Sequence, residues 1–104
     1  YGSSATRTKV YCGKVTNWFD KIGVAEIAVE SRPLRLGDKA IAVGATTGVV
    51  EFTVNDMRGA LKPAETAEKG VRCSVAIKPD DGDAAFERLR RGDKIYLWVE
   101  NSEK

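Results

Sequence analysis

The chain has no histidine, only two cysteines and no long apolar run, and each shortage removes a class of function. Without an imidazole there is no ordinary general base near neutral pH and no histidine-dependent catalytic triad. Cys12 and Cys73 stand alone, with no second cysteine two or three residues away, so neither a zinc site nor a Cys-x-x-Cys redox pair is supported. They read as small buried hydrophobes in a reducing compartment, which points to the cytoplasm. A disulfide between them stays open at this stage, because pairing requires Cα atoms within about 7 Å. A membrane helix needs about 20 apolar residues. Apolar stretches such as 41–43 and 96–99 stop well short of that, and no membrane partner is expected.

Charge of one sign is also scarce. Seventeen Lys and Arg against fifteen Asp and Glu leave a formal net charge of +2 over 104 residues. Such a balance does not by itself announce a nucleic-acid binder. Any basic surface has to come from clustering, and the densest local group is Arg88, Arg90, Arg91 and Lys94, with Arg32 and Arg35 at the equivalent place earlier in the chain. Paired carboxylates remain as chemistry. Asp80, Asp81 and Asp83 share a glycine-containing turn, but the alternating oxygen ligands and closing glutamate of a calcium loop are incomplete, so a solvated turn is the default. No metal and no cofactor is expected.

What the sequence does contain is a repeated phrase. Arg35-Leu36-Gly37-Asp38-Lys39 and Arg90-Arg91-Gly92-Asp93-Lys94 each precede a β-branched or aromatic run. Glycine tolerates a positive φ and aspartate bonds nearby backbone amides, so both copies predict a tight turn launching a strand. A third turn, Glu68-Lys69-Gly70, precedes the apolar and polar alternation of residues 71–77, the period of a strand with one buried face.

The remaining elements follow from the same signals. Residues 8–19 predict a first strand in which Gly13 marks a bulge or a close backbone approach. Asp20-Lys21-Ile22-Gly23 turns the chain into a second strand, with Val24, Glu26, Ala28 and Glu30 on one face and Ala25, Ile27 and Val29 on the other. Pro33 marks residues 31–35 as an irregular crossing. Residues 39–43 and 49–57 predict a hairpin about Gly44-Ala45-Thr46-Thr47-Gly48, with Val50, Phe52 and Val54 facing inward. An interrupted extended piece follows at 58–64. Between residues 83 and 91, Phe86 and Leu89 three apart, a capping Asp83 and a terminating Gly92 predict one or two helical turns. Residues 94–99 are the last strand.

One domain is expected over 8–100, after a flexible segment at 1–7 and before a frayed tail at 101–104. The fold class is all-β: a six- to seven-stranded antiparallel Greek-key barrel with one short helical turn, a sandwich being the alternative.

The succession from Gly13 to Ala25, then Leu36-Gly37-Asp38, Gly44 to Gly48, Val54-Asn55-Asp56-Met57 and Arg91-Gly92-Asp93 resembles the small translation elongation factor-like proteins. These are similar to the second domain of elongation factor Tu, a six-stranded Greek-key barrel. The same order, with Phe52-Thr53-Val54 and Met57, also resembles the C-terminal domain of the collagenase-like U32 peptidases. Some members of that family are linked to hydroxylation of transfer or ribosomal RNA. The first resemblance implies a non-enzymatic recognition module that associates with tRNA, rRNA or a ribonucleoprotein. The candidate contacts are Lys14, Trp18, Lys21, Arg35, Arg58, Lys62, Arg90 and Arg91, acting mainly on phosphates. The second implies a protein-interaction or accessory domain whose catalytic machinery belongs to an upstream domain. Neither brings GTP chemistry, since the Gly44–Gly48 stretch lacks the lysine and following helix of a phosphate loop.

Overall fold

The computed structural model describes residues 6–59, 62–63, 65–79 and 88–101. Its strands are β1 (Thr6–Phe19), β2 (Val24–Val29), β3 (Leu34–Arg35), β4 (Lys39–Gly44), β5 (Gly48–Thr53), β6 (Met57–Gly59), β7 (Lys62–Pro63), β8 (Thr66–Ala67), β9 (Arg72–Ala76) and β10 (Lys94–Asn101). Eight of them form one antiparallel sheet in the order β5-β4-β10-β1-β2-β9-β6-β7, and β3 pairs with β8. The expected antiparallel all-β fold is therefore present. The pairing does not close into a continuous cylinder: beyond these ladders the described residues show one isolated bridge, from Phe52 of the edge strand β5 to Pro79, three residues past the end of β9.

Strand β1 organises the sheet because it serves two partners. Its first half pairs with β10, from Thr6 opposite Asn101 to Lys14 opposite Lys94, and its second half pairs with β2, from Gly13 opposite Val29 to Phe19 opposite Val24. The register slips between Tyr11 and Gly13 against β10 and between Val15 and Asn17 against β2. Extra residues of this kind bend a strand. Gly13 sits at the handover, where a β-carbon would collide with the Ala28 carbonyl oxygen. Both features that its sequence context announced, irregular pairing and close approach, occur there.

The repeated phrase folds the same way each time. In each copy the amide three residues along bonds the first carbonyl (Asp38 to Arg35 at 3.1 Å, Asp93 to Arg90 at 3.0 Å), and the third residue is a glycine at φ +90° or +93°. These are features of a type II turn. The aspartate then reaches back, Asp38 accepting from the Arg35 amide at 2.9 Å and Asp93 from the Arg90 amide at 2.8 Å. Each turn also clips onto a buried valine through two backbone bonds. Gly37 donates to Val54 at 2.7 Å and Val54 to Asp38 at 2.9 Å, while Gly92 donates to Val15 and Val15 to Asp93, both at 2.8 Å. The third turn does likewise with Val29, without an aspartate: Gly70 donates to Val29 at 2.7 Å, and Val29 to Val71 at 2.9 Å.

The core is filled by alternate residues of these strands. Phe52, Ile27, Leu34, Met57, Leu89 and Ile95 are its largest fully enclosed side chains. Several expectations need adjusting. Residues 49–57 do not run as one strand; the chain breaks at 54–56, where Val54 leaves the β4 ladder for its bonds to Gly37 and Asp38. Leu34 and Arg35, expected in an irregular crossing, form the short strand β3 opposite Ala67 and Thr66 of β8; the amide that proline lacks is Pro33's own, one residue before the strand. The short helical turn lies mostly on residues outside those described, as does the Asp80, Asp81 and Asp83 cluster. The described part, Arg88 to Arg90, is irregular rather than helical. The Gly44–Gly48 stretch is the β4–β5 hairpin turn, with Gly44 opposite Gly48.

Candidate binding surface

Alternation places Ala25, Ile27 and Val29 of β2 inside and Val24, Glu26 and Ala28 outside, as its sequence pattern indicated. Strand β9 likewise turns Cys73 and Val75 inward and Arg72, Ser74 and Ala76 outward, and β6 buries Met57 while exposing Arg58. Register then lines up three rows across the outer face. Phe19, Val24 and Ala76 make an apolar row. Glu26, Ser74 and Arg58 make a polar row. Lys14, Ala28 and Arg72 make a basic row whose centre is a single methyl group.

Two grooves lie on this face. The larger, about 830 Å³, takes its apolar lining from Phe19, Ile22, Val24 and Ala76 and its charged lining from Glu26, Asp56, Arg58 and Arg72. The smaller, about 480 Å³, is bordered by Lys14, Asn17, Arg91 and Gly92 and shares Glu26 and Arg72 with the first. The combined lining carries four cations, Lys14, Arg58, Arg72 and Arg91, against two carboxylates, Glu26 and Asp56. Glu26 accepts a hydrogen bond from the Thr16 hydroxyl at 2.8 Å, and Lys14 approaches Glu30 at 3.7 Å with both side chains substantially exposed. A pair of that kind contributes at most about 1 kcal/mol. The side chains of Arg58, Arg72 and Arg91 have no hydrogen bond or ion pair to any described residue.

The eight contacts read from the sequence divide. Lys14 and Arg91 border the smaller groove and Arg58 the larger. Trp18 packs against the core and donates its indole N–H to Asp20 at 3.0 Å, leaving its neighbour Phe19 as the exposed ring on the groove. Lys21 is exposed in the β1–β2 turn, Arg35 is exposed in the first Gly-Asp turn, and Arg90 is half-buried in the second. Lys62 lies in β7 with its backbone opposite Gly59. Lys21, Arg35 and Arg90 line neither groove. Sequence reasoning missed Arg72, Glu26 and Asp56. The outward position of Arg72 was readable from the period of residues 71–77; that β9 lies beside β2 was not.

A second cluster lies on the outer face of β1 and β10. Tyr11 and Tyr96 meet edge to face at 5.7 Å, and the Lys9 ammonium stands 4.8 Å over the Tyr96 ring. The Tyr11 hydroxyl donates to Glu30 at 2.6 Å. That hydrogen bond, helped by partial burial and the Glu30 charge, pushes the Tyr11 phenol up to about 12. Its groups are committed to one another.

Neither cysteine offers a nucleophile. Both are free and buried. Burial raises Cys12 to about 11 and Cys73 to about 12, and a thiol is reactive only as its thiolate. Among the described residues no group of three or more His, Cys, Asp or Glu side chains could hold a metal ion, and no helix is long and apolar enough to cross a membrane.

Comparison with known proteins fits this picture. No family model matches the chain. A Porphyromonas gingivalis protein named collagenase, from strain W83, is 40% identical over 103 residues, which cover 99% of this chain and 23% of that protein. A second P. gingivalis collagenase is 39% identical over 103 residues and 26% of its own length. An uncharacterised protease of Methanocaldococcus jannaschii is 34% identical over 99 residues, 95% of this chain and 22% of that one. The chain thus spans about a quarter of the length of the curated relatives it matches. In three dimensions it is similar to the C-terminal domain of a Geobacillus thermoleovorans protein assigned to the U32 peptidases. The TM-score is 0.71 at 12% identity, over 85% of this chain and 91% of that one. The selenomethionine variant of the same domain gives 0.69 at 13% identity, over 82% and 95%. This chain has the fold of that C-terminal domain. Of the two resemblances drawn from the sequence, these similarities support the peptidase domain and lend nothing to elongation factor Tu.

Proposed function

We propose that this chain is a non-catalytic accessory β-domain of a U32-type peptidase, one that engages polypeptide beside a catalytic region supplied by the remainder of a longer protein. The observation that carries this reading is the match in length. Nearly all of the chain aligns at 40% identity with 23% of a protein named collagenase. The chemistry of the chain agrees: there is no histidine, and the two thiols are buried and held above their ordinary pKa. Association with tRNA or rRNA gains no comparable support, since Lys21, Arg35 and Arg90 line neither groove and Trp18 is turned against the core.

The test is direct. Purified chain is incubated with fluorescent gelatin and with a short quenched peptide, with and without added divalent metal. The expected result is no cleavage above buffer. Turnover that follows the chain through purification overturns the proposal.

A further inference from the structure

We propose that the outer face of β1, β2, β9 and β6 is a docking groove for an extended acidic peptide segment that carries an apolar residue beside its carboxylates. The inference deepens the accessory-domain reading and rests on it for the class of partner. Its own support is the lining of the face.

Arg58 and Arg72 are the anchors. Arg58 lies opposite Ser74 on the neighbouring strand, two residues along from Arg72. Strand spacing and rise place such positions about 8 Å apart, a little more than the separation of side chains two residues apart on an extended chain. Two carboxylates at alternate positions of a bound strand therefore meet two guanidiniums. Arginine binds carboxylates through paired N–H donors, and among the described residues neither guanidinium has a partner to give up. Arg91 and Lys14 extend the positive end along the smaller groove. At the other end, Ile22 is 69% exposed and Phe19 38% exposed beside Val24 and Ala76. An apolar side chain of the ligand would cover this surface, which the domain leaves in water. The centre of the face is small, Ala28, Ser74 and Ala76, so a backbone can approach the sheet closely.

The signs of the lining favour peptide over nucleic acid. Glu26 and Asp56 stand among the cations. They repel any anion, but along a peptide they can accept from regularly spaced backbone N–H groups, whereas phosphates themselves offer no donor. An RNA site would instead pair its cations with a series of stacking rings, whereas this groove carries the single part-exposed ring of Phe19, and Trp18 packs against the core.

The experiment measures fluorescence anisotropy of the full chain against fluorescein-labelled Leu-Ala-Glu-Gly-Glu-Gly, the same peptide with Gln for Glu, and a twelve-nucleotide single-stranded RNA, at 50 and 200 mM salt. The Glu peptide is expected to bind, the Gln peptide at least tenfold more weakly, and the RNA more weakly than the Glu peptide at both salt concentrations. Arg58→Gln and Arg72→Gln are each expected to weaken the Glu peptide at least tenfold, whereas Arg32→Gln, exposed and outside both grooves, leaves it unchanged. Matching circular dichroism melts establish that the variants are folded. Equal binding of the Gln peptide, retained binding in both arginine variants, tighter binding of RNA, or no peptide binding at 50 mM salt each overturns the proposal. None of these outcomes bears on cleavage by the isolated chain, so failure of the groove and failure of the accessory role are read separately.

Discussion

Asp93 is the side chain on which the local structure depends most. It is 5% exposed, its carboxylate accepts from the Arg90 amide and the Thr47 hydroxyl, and it rests against Gly44, where a β-carbon would collide with it. Asp38 makes the same turn bond from a more open position. Removing a buried acceptor leaves its donors unsatisfied at about 1–3 kcal/mol, against about 1 kcal/mol for an accessible hydrogen bond. We therefore expect Asp93→Ala to lower the urea midpoint clearly more than Asp38→Ala. Equal losses would show that the burial of Asp93 adds nothing. The buried thiols contribute to the alkaline limit, alongside the Tyr11 phenol. The thiols' folded-state pKa values, about 11 for Cys12 and about 12 for Cys73, lie above the ordinary 9.0. Between those values the unfolded chain has lost protons that the folded chain keeps, so the contribution is complete below pH 9 and is lost as pH rises toward 11 and 12. Urea midpoints measured at pH 7, 9 and 10.5 should be level over the first interval and fall over the second. A Cys12→Ala, Cys73→Ala double variant should fall less.

The turns were the most legible elements, because each states its requirement in residue types that have few alternatives. Glycine in the third position answers a φ near +90° at Gly37, Gly70 and Gly92, and the two aspartates answer a free amide three residues back. Alternation likewise gave the inward residues of β2 and β9. The break of the fifth strand at 54–56 was not legible, since Val54 continues the apolar period and its departure is dictated by Gly37 and Asp38 from another part of the chain. Pairing partners were also hidden. No local pattern places β9 between β2 and β6, and this is why the row joining Glu26, Ser74 and Arg58 could not be read beforehand. Gly37→Ala and Gly92→Ala both force a β-carbon into the left-handed region, at about 1–2 kcal/mol each. Neither position has a heavy atom within 4 Å to add a clash, so the two thermal shifts should agree closely. Gly44→Ala, which drives a methyl into the Asp93 carboxylate, should cost more than either.

At the scale of the molecule, one core joins strands distant in sequence. Phe52 on β5 and Ile27 on β2 belong to the same buried cluster although their strands stand four places apart in the sheet. Phe52→Ala should remove about 3–5 kcal/mol, a large share of the 5–15 kcal/mol typical of a domain, and a single cooperative unfolding transition is expected to shift as a whole. Two separate transitions would contradict one core. A frame fixed by three clipped turns and one interior leaves its outer face free to bind without rearranging, which suits a recognition role better than one that requires closure around a substrate.

The central claim is that this domain engages polypeptide and leaves bond cleavage to the rest of the protein. It is tested most directly in the P. gingivalis collagenase by deleting the matching 23% of its length, or replacing that region with this chain, and measuring kcat and KM on gelatin and on a short peptide. The account predicts that deletion raises the gelatin KM several-fold while short-peptide kcat holds, and that the replacement restores the gelatin KM. Loss of short-peptide cleavage in a deletion variant that still folds, or an unchanged gelatin KM, would contradict it.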